Sequence, residues 1–506
     1  MEVNLNESEI EFLNSDHYKL TSSELKAIMN KYEPRNQLLF AVMLQYYKIK
    51  INFPSSHNAL VAYLSTSLAK EIKTTPCYFN ELEENSQVVQ RFRRAIRKRF
   101  GFRASTDNDA VHFMNWLSNE LLPKMLPKHE ISGAIRAWYK DSKLEPFSDK
   151  QQERYLDSAK YQMETRLFEK IVLQLNDENR RLIDTFLNLA AEEELSGKKK
   201  NEINFNDLKK GVPGAKLKHV QRAIEKHQLL QRFFLPDEIT AGLSRKVLVK
   251  YYDRIMAYSP SHIKELDSRS KYASMAIFCH IRAELVADSL GDLFLKLVRK
   301  IQKSSESYVN STLVKEIKRV EGKFDILYKL AQASLDCPNG VIKETIYPIV
   351  DIETLKQLKE DLSHRGHWYN NQVKNKMRSL YSHGSRADLL DILSALSLDA
   401  DDEEHQALIT AIQFILKHRH ETVEIYKEAP PIKNVIPDNW LDFVIEDINK
   451  SPVNVNRLNY EMVVCNELRK KLTYKGVWIK HGYRYRNPKK IYPKILMKIE
   501  KNTMKN

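Results

Sequence analysis

The sequence predicts an all-α, multidomain protein, with helix-turn-helix-like bundles and a small β-hairpin near the C-terminus. Three observations carry this. Apolar residues recur at helical spacing along most of the chain. Glycine is scarce, 13 of 506 residues, which disfavours β-rich and doubly wound folds with their many tight turns. No convincing alternating strand pattern precedes residue 476 or so. The length exceeds one usual domain. Prolines and polar tracts suggest five segments: 1–125, 126–207, 208–340, 341–428 and 429–506.

A first helix is expected over 21–31, where Thr21 and Glu24 have the spacing of a capping box. Leu38, Leu39, Val42, Met43, Tyr46 and Tyr47 then mark a helix up to Lys50, and Leu60, Val61, Leu64 and Leu68 another. RFRRAIRKRFGFR, residues 91–103, holds seven Lys or Arg and no acid. Phe92, Ile96 and Phe100 form its apolar stripe, and Gly101 is placed to end the helix. Thr106 and Asp109 start the next helix, with Val111, Met114 and Leu117 expected to face inward. A basic amphipathic helix joined to a second helix by a short glycine-containing turn suits a nucleic-acid module.

Pro123 and Pro127 form a break, one or two long helices cover 150–195, and 197–207 is a linker. LKKGVPGAKLKHVQRAIEKHQLLQRFFLP, 208–236, sets Lys209, Lys210, Lys216 and Lys218 around a Gly-Val-Pro-Gly turn before a helix, an arrangement suited to holding phosphate. A long apolar pattern over 271–300 reads as core, followed by a helix over 309–333. Short helices are expected at 355–362 and 373–380, and a helix pair at 389–398 and 405–417, turned by the acidic 399–404. Beyond Pro430–Pro431 comes a helix at 460–472. In LTYKGVWIKHGYRYRNP the period then changes, so a hairpin carrying Arg484 and Arg486 among aromatic residues is expected.

Several function classes are excluded. There is no GxGxxG, P-loop, GxSxG or HExxH motif. No run of 18 apolar residues predicts a membrane span. The polar, acidic start is no secretory signal, so a cytoplasmic, DNA-associated location is expected. Cys77, Cys279, Cys337 and Cys465 are scattered, without metal or disulfide spacing. Net charge is +15, and residues 462–506 carry 13 Lys or Arg against two acids. Localised positive charge favours a polyanionic partner. The candidate DNA contacts are Arg91, Arg94, Arg97, Lys98, Arg99 and Arg103, then Lys209, Lys210, Lys216 and Lys218, then Arg484 and Arg486.

Five stretches, in order, resemble the N-terminal part of Tn3-family transposases: residues 91–117, 208–236, 258–294 (YSPSHIKELDSRSKYASMAIFCHIRAELVADSLGDLF), 379–398 (SLYSHGSRADLLDILSALSL) and 435–488. Lys31-Tyr32-Glu33-Pro34-Arg35 departs from the arginine run such proteins carry there. The resemblance implies helical domains that recognise the terminal inverted repeats of a transposon, followed by a dimerisation region. It further implies that the family's Asp-Asp-Glu catalytic domain, which needs Mg²⁺, lies beyond this chain. The expectation is therefore a non-catalytic half that binds double-stranded DNA as a homodimer, with a separately encoded catalytic half as a further partner. No cofactor of its own and no catalytic activity by this chain alone are expected. The alternatives are a domesticated or truncated DNA-binding regulator and a helical protein-interaction scaffold.

Overall fold

The computed structural model describes residues 19–54, 59–75, 86–197, 201–212, 217–319, 322–447 and 453–491. It is all-helical apart from a few two- and three-residue strands, as the glycine count and periodicity predict. Two compact units account for the chain, 1–170 with 238–247, and 171–237 with 248–506. They are coarser than the five segments suggested by prolines and polar tracts.

The first unit begins with α1 (Ser22–Lys31), α2 (Pro34–Lys50), α3 (Ala59–Ile72) and α4 (Gln87–Phe100). The capping box of α1 is formed: the Glu24 N–H donates to Thr21 Oγ1, and the Thr21 N–H donates to Glu24 Oε2 at 3.1 Å. α2 is buried over Leu38–Leu44 and packs against α3 and α4. Leu60, Leu64 and Leu68 of α3 and Val89, Phe92 and Ile96 of α4 complete this core. Tyr32, Phe40 and Phe92 meet at ring separations of 4.8–5.3 Å.

A second core in the same unit is built by α5 (Asp107–Trp116), a π-helical turn over Leu117–Leu121, α6 (Lys128–Asp141) and α7 (Asp149–Gln174). It gathers Ala110, Phe113, Leu117, Leu121, Tyr139, Leu144 and Phe147. Thus α4 and α5, which flank Gly101 like a helix-turn-helix pair, each pack into a different core. Gly101 takes φ +71, the left-handed conformation that ends α4. The chain then pairs Arg103 with Leu144 in a short parallel bridge. The Arg103 N–H donates to the Lys143 carbonyl at 3.0 Å, and the Glu145 N–H donates to the Arg103 carbonyl at 2.9 Å.

The second unit contains α8 (Asp177–Ser196), α9 (Phe205–Lys209) and α10 (Leu217–Leu230). After the short α11 (Asp237–Thr240), most of which belongs with the first unit, come α12 (Arg245–Ala257), in the second unit from Leu248 on, α13 (Pro260–Glu265) and the 52-residue α14 (Ser268–Arg319). α15 (Lys323–Asp336), α16 (Ile342–Thr345), α17 (Ile352–Gly384) and α18 (Arg386–Ala395) follow. The expected short helices at 355–362 and 373–380 are one continuous 33-residue α17, because a lone Gly366 without proline does not stop a helix. α14 is the spine: Ala273, Ile277, Ile281, Leu290 and Phe294 are buried along it, and α17 and α10 pack on it.

The chain closes with β1 (Leu398–Asp399), α19 (Glu403–Lys417), α20 (Asp438–Val444), β2 (Ile445–Asp447), β3 (Asn454–Val455), α21 (Arg457–Thr473), β4 (Trp478–Ile479) and α22 (Pro488–Ile491). β2 and β3 form a small antiparallel pair near the C-terminus. β4 pairs with β1, Leu398 opposite Ile479, while 483–486 turn back so that the Ile479 N–H donates to the Tyr485 carbonyl at 2.8 Å. α21 is buried almost throughout. Its Glu461 accepts from Arg386 at 2.6 and 2.9 Å and from the Tyr381 hydroxyl at 2.9 Å. Among the described residues, no helix is long and apolar enough to cross a membrane.

Candidate nucleic-acid interface

The basic helix α4 is built so that its cations separate into two kinds. Ser86 caps it by accepting from the Val89 N–H, and Val89, Phe92 and Ile96 bury one face. The polar side is therefore held in a fixed rotation. On the flanks, Arg97 donates to Glu145 at 2.6 Å, Arg99 donates to Glu24 at 3.0 Å, and the Arg93 guanidinium lies 5.5 Å from the Phe53 ring centroid. Glu24 also accepts from Lys48 at 3.0 Å. Burial opposes its charge, but the Thr21 N–H and Lys48 outweigh that and hold its carboxyl below its usual value.

Between those flanks stand Arg91, Arg94 and Lys98, all exposed, with no ion pair or hydrogen bond among the described residues. Spacings of three and four put them in one stripe, spanning about 10 Å along the axis. Arg103 is tied down after the turn. Its guanidinium donates to both oxygens of Asp109, at 2.7 and 2.8 Å. That bond, with the Thr106 hydroxyl and N–H, holds the Asp109 carboxyl well below the usual carboxylate range. The same contacts lock the start of α5. The structure thus brings three of the six sequence-selected cations of this segment together as an open stripe and uses Arg97, Arg99 and Arg103 as struts.

In the second unit the selected cations are differently placed. Lys209 donates to the Tyr258 carbonyl at 2.6 Å and lies 4.5 Å from the Phe205 ring centroid. Burial pulls its ammonium below the usual lysine value. Lys210 sits 3.8 Å from Asp207. Lys216 lies outside the described residues, as does the Lys218 side chain. Behind them are cations that sequence reading passed over. Lys226, 6% exposed, donates to the Asp207 carbonyl at 2.5 Å, and Arg282 donates to the Leu208 and Lys210 carbonyls. Burial lowers Lys226 to about 8, with Asp207 pulling the other way. These two side chains cap the carboxyl end of α9.

Arg484 is ion-paired to Asp292 of α14, and its guanidinium lies 4.8 Å from the Tyr485 ring centroid. The backbone N–H groups of Arg484 and Tyr485 donate to Asp288 at 2.8 and 3.3 Å, and burial pushes that carboxyl above its usual value. Arg486 stacks 4.5 Å from the Tyr483 ring centroid. The 483–486 turn is therefore an internal docking element of its own unit. Among the described residues, no group of three or more His, Cys, Asp or Glu side chains is arranged to hold a metal ion.

A helical unit with an exposed cationic stripe on a rigid helix has the form of a polyanion-binding module. Comparison with known proteins adds to this. Residues 7–136, which include α4 and α5, match a family described as a domain of unknown function (DUF4158). Over 474 residues the chain is 21% identical to the transposase for transposon Tn2501 of Escherichia coli, covering 91% of this chain and 45% of that protein. The chain is thus related in sequence to a transposase, and it spans less than half the length of that curated relative.

Proposed function

We propose that the chain binds double-stranded DNA through the α4 stripe and serves as the end-recognising part of a transposase, sequence-specific for terminal inverted repeats. The observation that carries this is the open row of Arg91, Arg94 and Lys98, held by arginines already committed to Glu24 and Glu145. Unpaired cations on a rigid scaffold displace counterions from a duplex, whereas paired ones have already spent their charge. The relationship to a transposase supports DNA as the polyanion.

The test is a fluorescence titration of terminal-repeat duplex with the chain and with Arg91→Glu, Arg94→Glu, Lys98→Glu combined. Affinity should fall about a hundredfold or more. The slope of log K against log salt should shrink by nearly three for the neutralising triple Gln variant. Unchanged affinity in the folded Glu variant would remove α4 from the interface.

A homodimer is part of the same reading, supported by apolar exposure in the second unit. Tyr328 and Leu335 on α15 are 66% and 81% exposed, and Val341 and Ile342 beyond it are 62% exposed each. Uncovered apolar residues of this size support a protein contact. Sedimentation should show a dimer that Tyr328→Lys with Leu335→Lys converts to monomer. A monomeric wild type speaks against the dimer and leaves DNA binding standing.

A further inference from the structure

We propose that α5 carries the base-reading face of the first unit, formed by Asn108, Val111, His112 and Asn115; this rests on the DNA-binding reading above. The four residues follow the i, i+3, i+4, i+7 pattern, so they lie in one stripe along the helix. All four are exposed, Val111 at 51%. The side chains of Asn108, His112 and Asn115 make no hydrogen bond or ion pair among the described residues. His112 and Asn115 line an open cavity of about 480 Å³ and are exposed among the described residues of the first unit. The opposite face of α5 is fixed in the core by Ala110 and Phe113, with Leu117 of the following π-helical turn beside them. Its first turn is fixed by Thr106, Asp109 and Arg103. The stripe is presented rigidly, as recognition of a fixed partner requires.

In a chain with 29% charged residues, these positions carry no Asp, Glu, Lys or Arg. They offer two amides, each pairing a donor with an acceptor, an imidazole, and a branched apolar group. An amide matches the adenine N6 and N7 edge in the major groove, and an apolar group meets the thymine methyl. An α-helix fits that groove, and the stripe's length of about 10 Å corresponds to roughly three base steps. Asp107 and Glu120 bracket the stripe, so α5 has no attraction of its own for a polyanion. Attraction comes from the neighbouring helix: α4 holds phosphates, and α5 reads edges. This division matches the general rule that phosphate contacts position and base contacts specify.

The experiment selects from a randomised duplex library with the full chain and with His112→Ala, Asn115→Ala, using Asn115→Ala alone should the double variant fail to fold. The wild type should enrich a motif, and the variant should lose at least tenfold in preference for that motif over unrelated duplex. Its affinity for unrelated duplex and its salt slope should stay as in the wild type. A variant that enriches the same motif equally well overturns the assignment, as does a wild type that binds duplex without preference. A wild type that binds no duplex at low salt overturns the DNA reading itself, which separates the two failures.

Discussion

Two lysine- and arginine-rich segments look alike in sequence and differ in the folded chain. In α4 the central cations Arg91, Arg94 and Lys98 face outward without partners among the described residues. Around α9 in the second unit, the cations turn onto backbone carbonyls: Lys209 onto Tyr258, Lys226 onto Asp207, and Arg282 onto Leu208 and Lys210. The difference arises from what each helix can satisfy by itself. α4 has a side-chain cap at one end and glycine at the other, so its termini need no cationic help. α9 is five residues long, and its carboxyl end is capped by long side chains brought from α10 and α14. Positive charge in sequence therefore marks a ligand surface only where the fold has not already used it.

Removing a buried cation and an exposed one in parallel separates the two roles. Arg282→Met leaves the Leu208 and Lys210 carbonyls without their buried donor, and should cost about 3–4 kcal/mol in urea unfolding. Arg94→Met should stay within about 0.5 kcal/mol of the wild type while weakening duplex binding. Equal stability losses in the two variants would show that the burial contrast does not govern these cations.

A pH titration probes the second unit further. His227, 2% exposed, is held down to about 4, first by burial and then by His481. The unfolded chain takes up the proton near pH 6.5, while the folded state stays neutral until about pH 4. Stability contributed by neutral His227 is thus complete above pH 6.5 and lost as pH falls towards 4, by roughly 3 kcal/mol. His227→Gln should flatten that part of the stability profile. A wild-type slope unchanged by the substitution would assign the pH effect to other groups.

The helical class and many element starts and ends are legible in sequence because they are local: Thr21 with Glu24, Gly101, and Thr106 with Asp109 all act within four residues. The partners that decide which cations stay free are not local. Arg97 finds Glu145 48 positions away, Arg99 finds Glu24 75 away, and Arg484 is bound by Asp292, nearly 200 away. No periodicity encodes such meetings. The strand at 478–479 is the same case, since its partner Leu398–Asp399 lies on the far side of α19, α20 and α21. The stripe of α5 without Asp, Glu, Lys or Arg is visible in sequence as Asn108, Val111, His112 and Asn115. It gains meaning only when Val111, expected to face inward, proves exposed.

In the first unit, Asp109 tests whether the struts matter as struts. Asp109→Asn removes the charge-assisted pair with Arg103 and weakens the cap on α5. It should cost about 1–2 kcal/mol, with a matching loss in the wild type that begins below about pH 4, where the unfolded chain's carboxyl takes up its proton, and completes only well below that, where the folded Asp109 does so. Since Arg103 is then released towards solvent, duplex affinity should hold or rise slightly even as stability falls. A drop in affinity larger than the stability loss explains would mean that Arg103 positions α5 for DNA as well as anchoring it.

The smallest effect separates two lysines. Lys209→Met gives up one hydrogen bond to the Tyr258 carbonyl and a contact with the Phe205 ring, and keeps most of the buried stem. Its stability cost should be about 1 kcal/mol, with duplex affinity and salt slope unchanged. Lys98→Met should do the reverse: no resolvable change in unfolding, and a salt slope smaller by about 0.9. Together they ask whether one lysine in each unit can be told apart by fold alone. If Lys209→Met lowers the salt slope as much as Lys98→Met does, the carbonyl of Tyr258 does not keep that ammonium from a phosphate, and the second unit joins the first as a DNA-contacting surface.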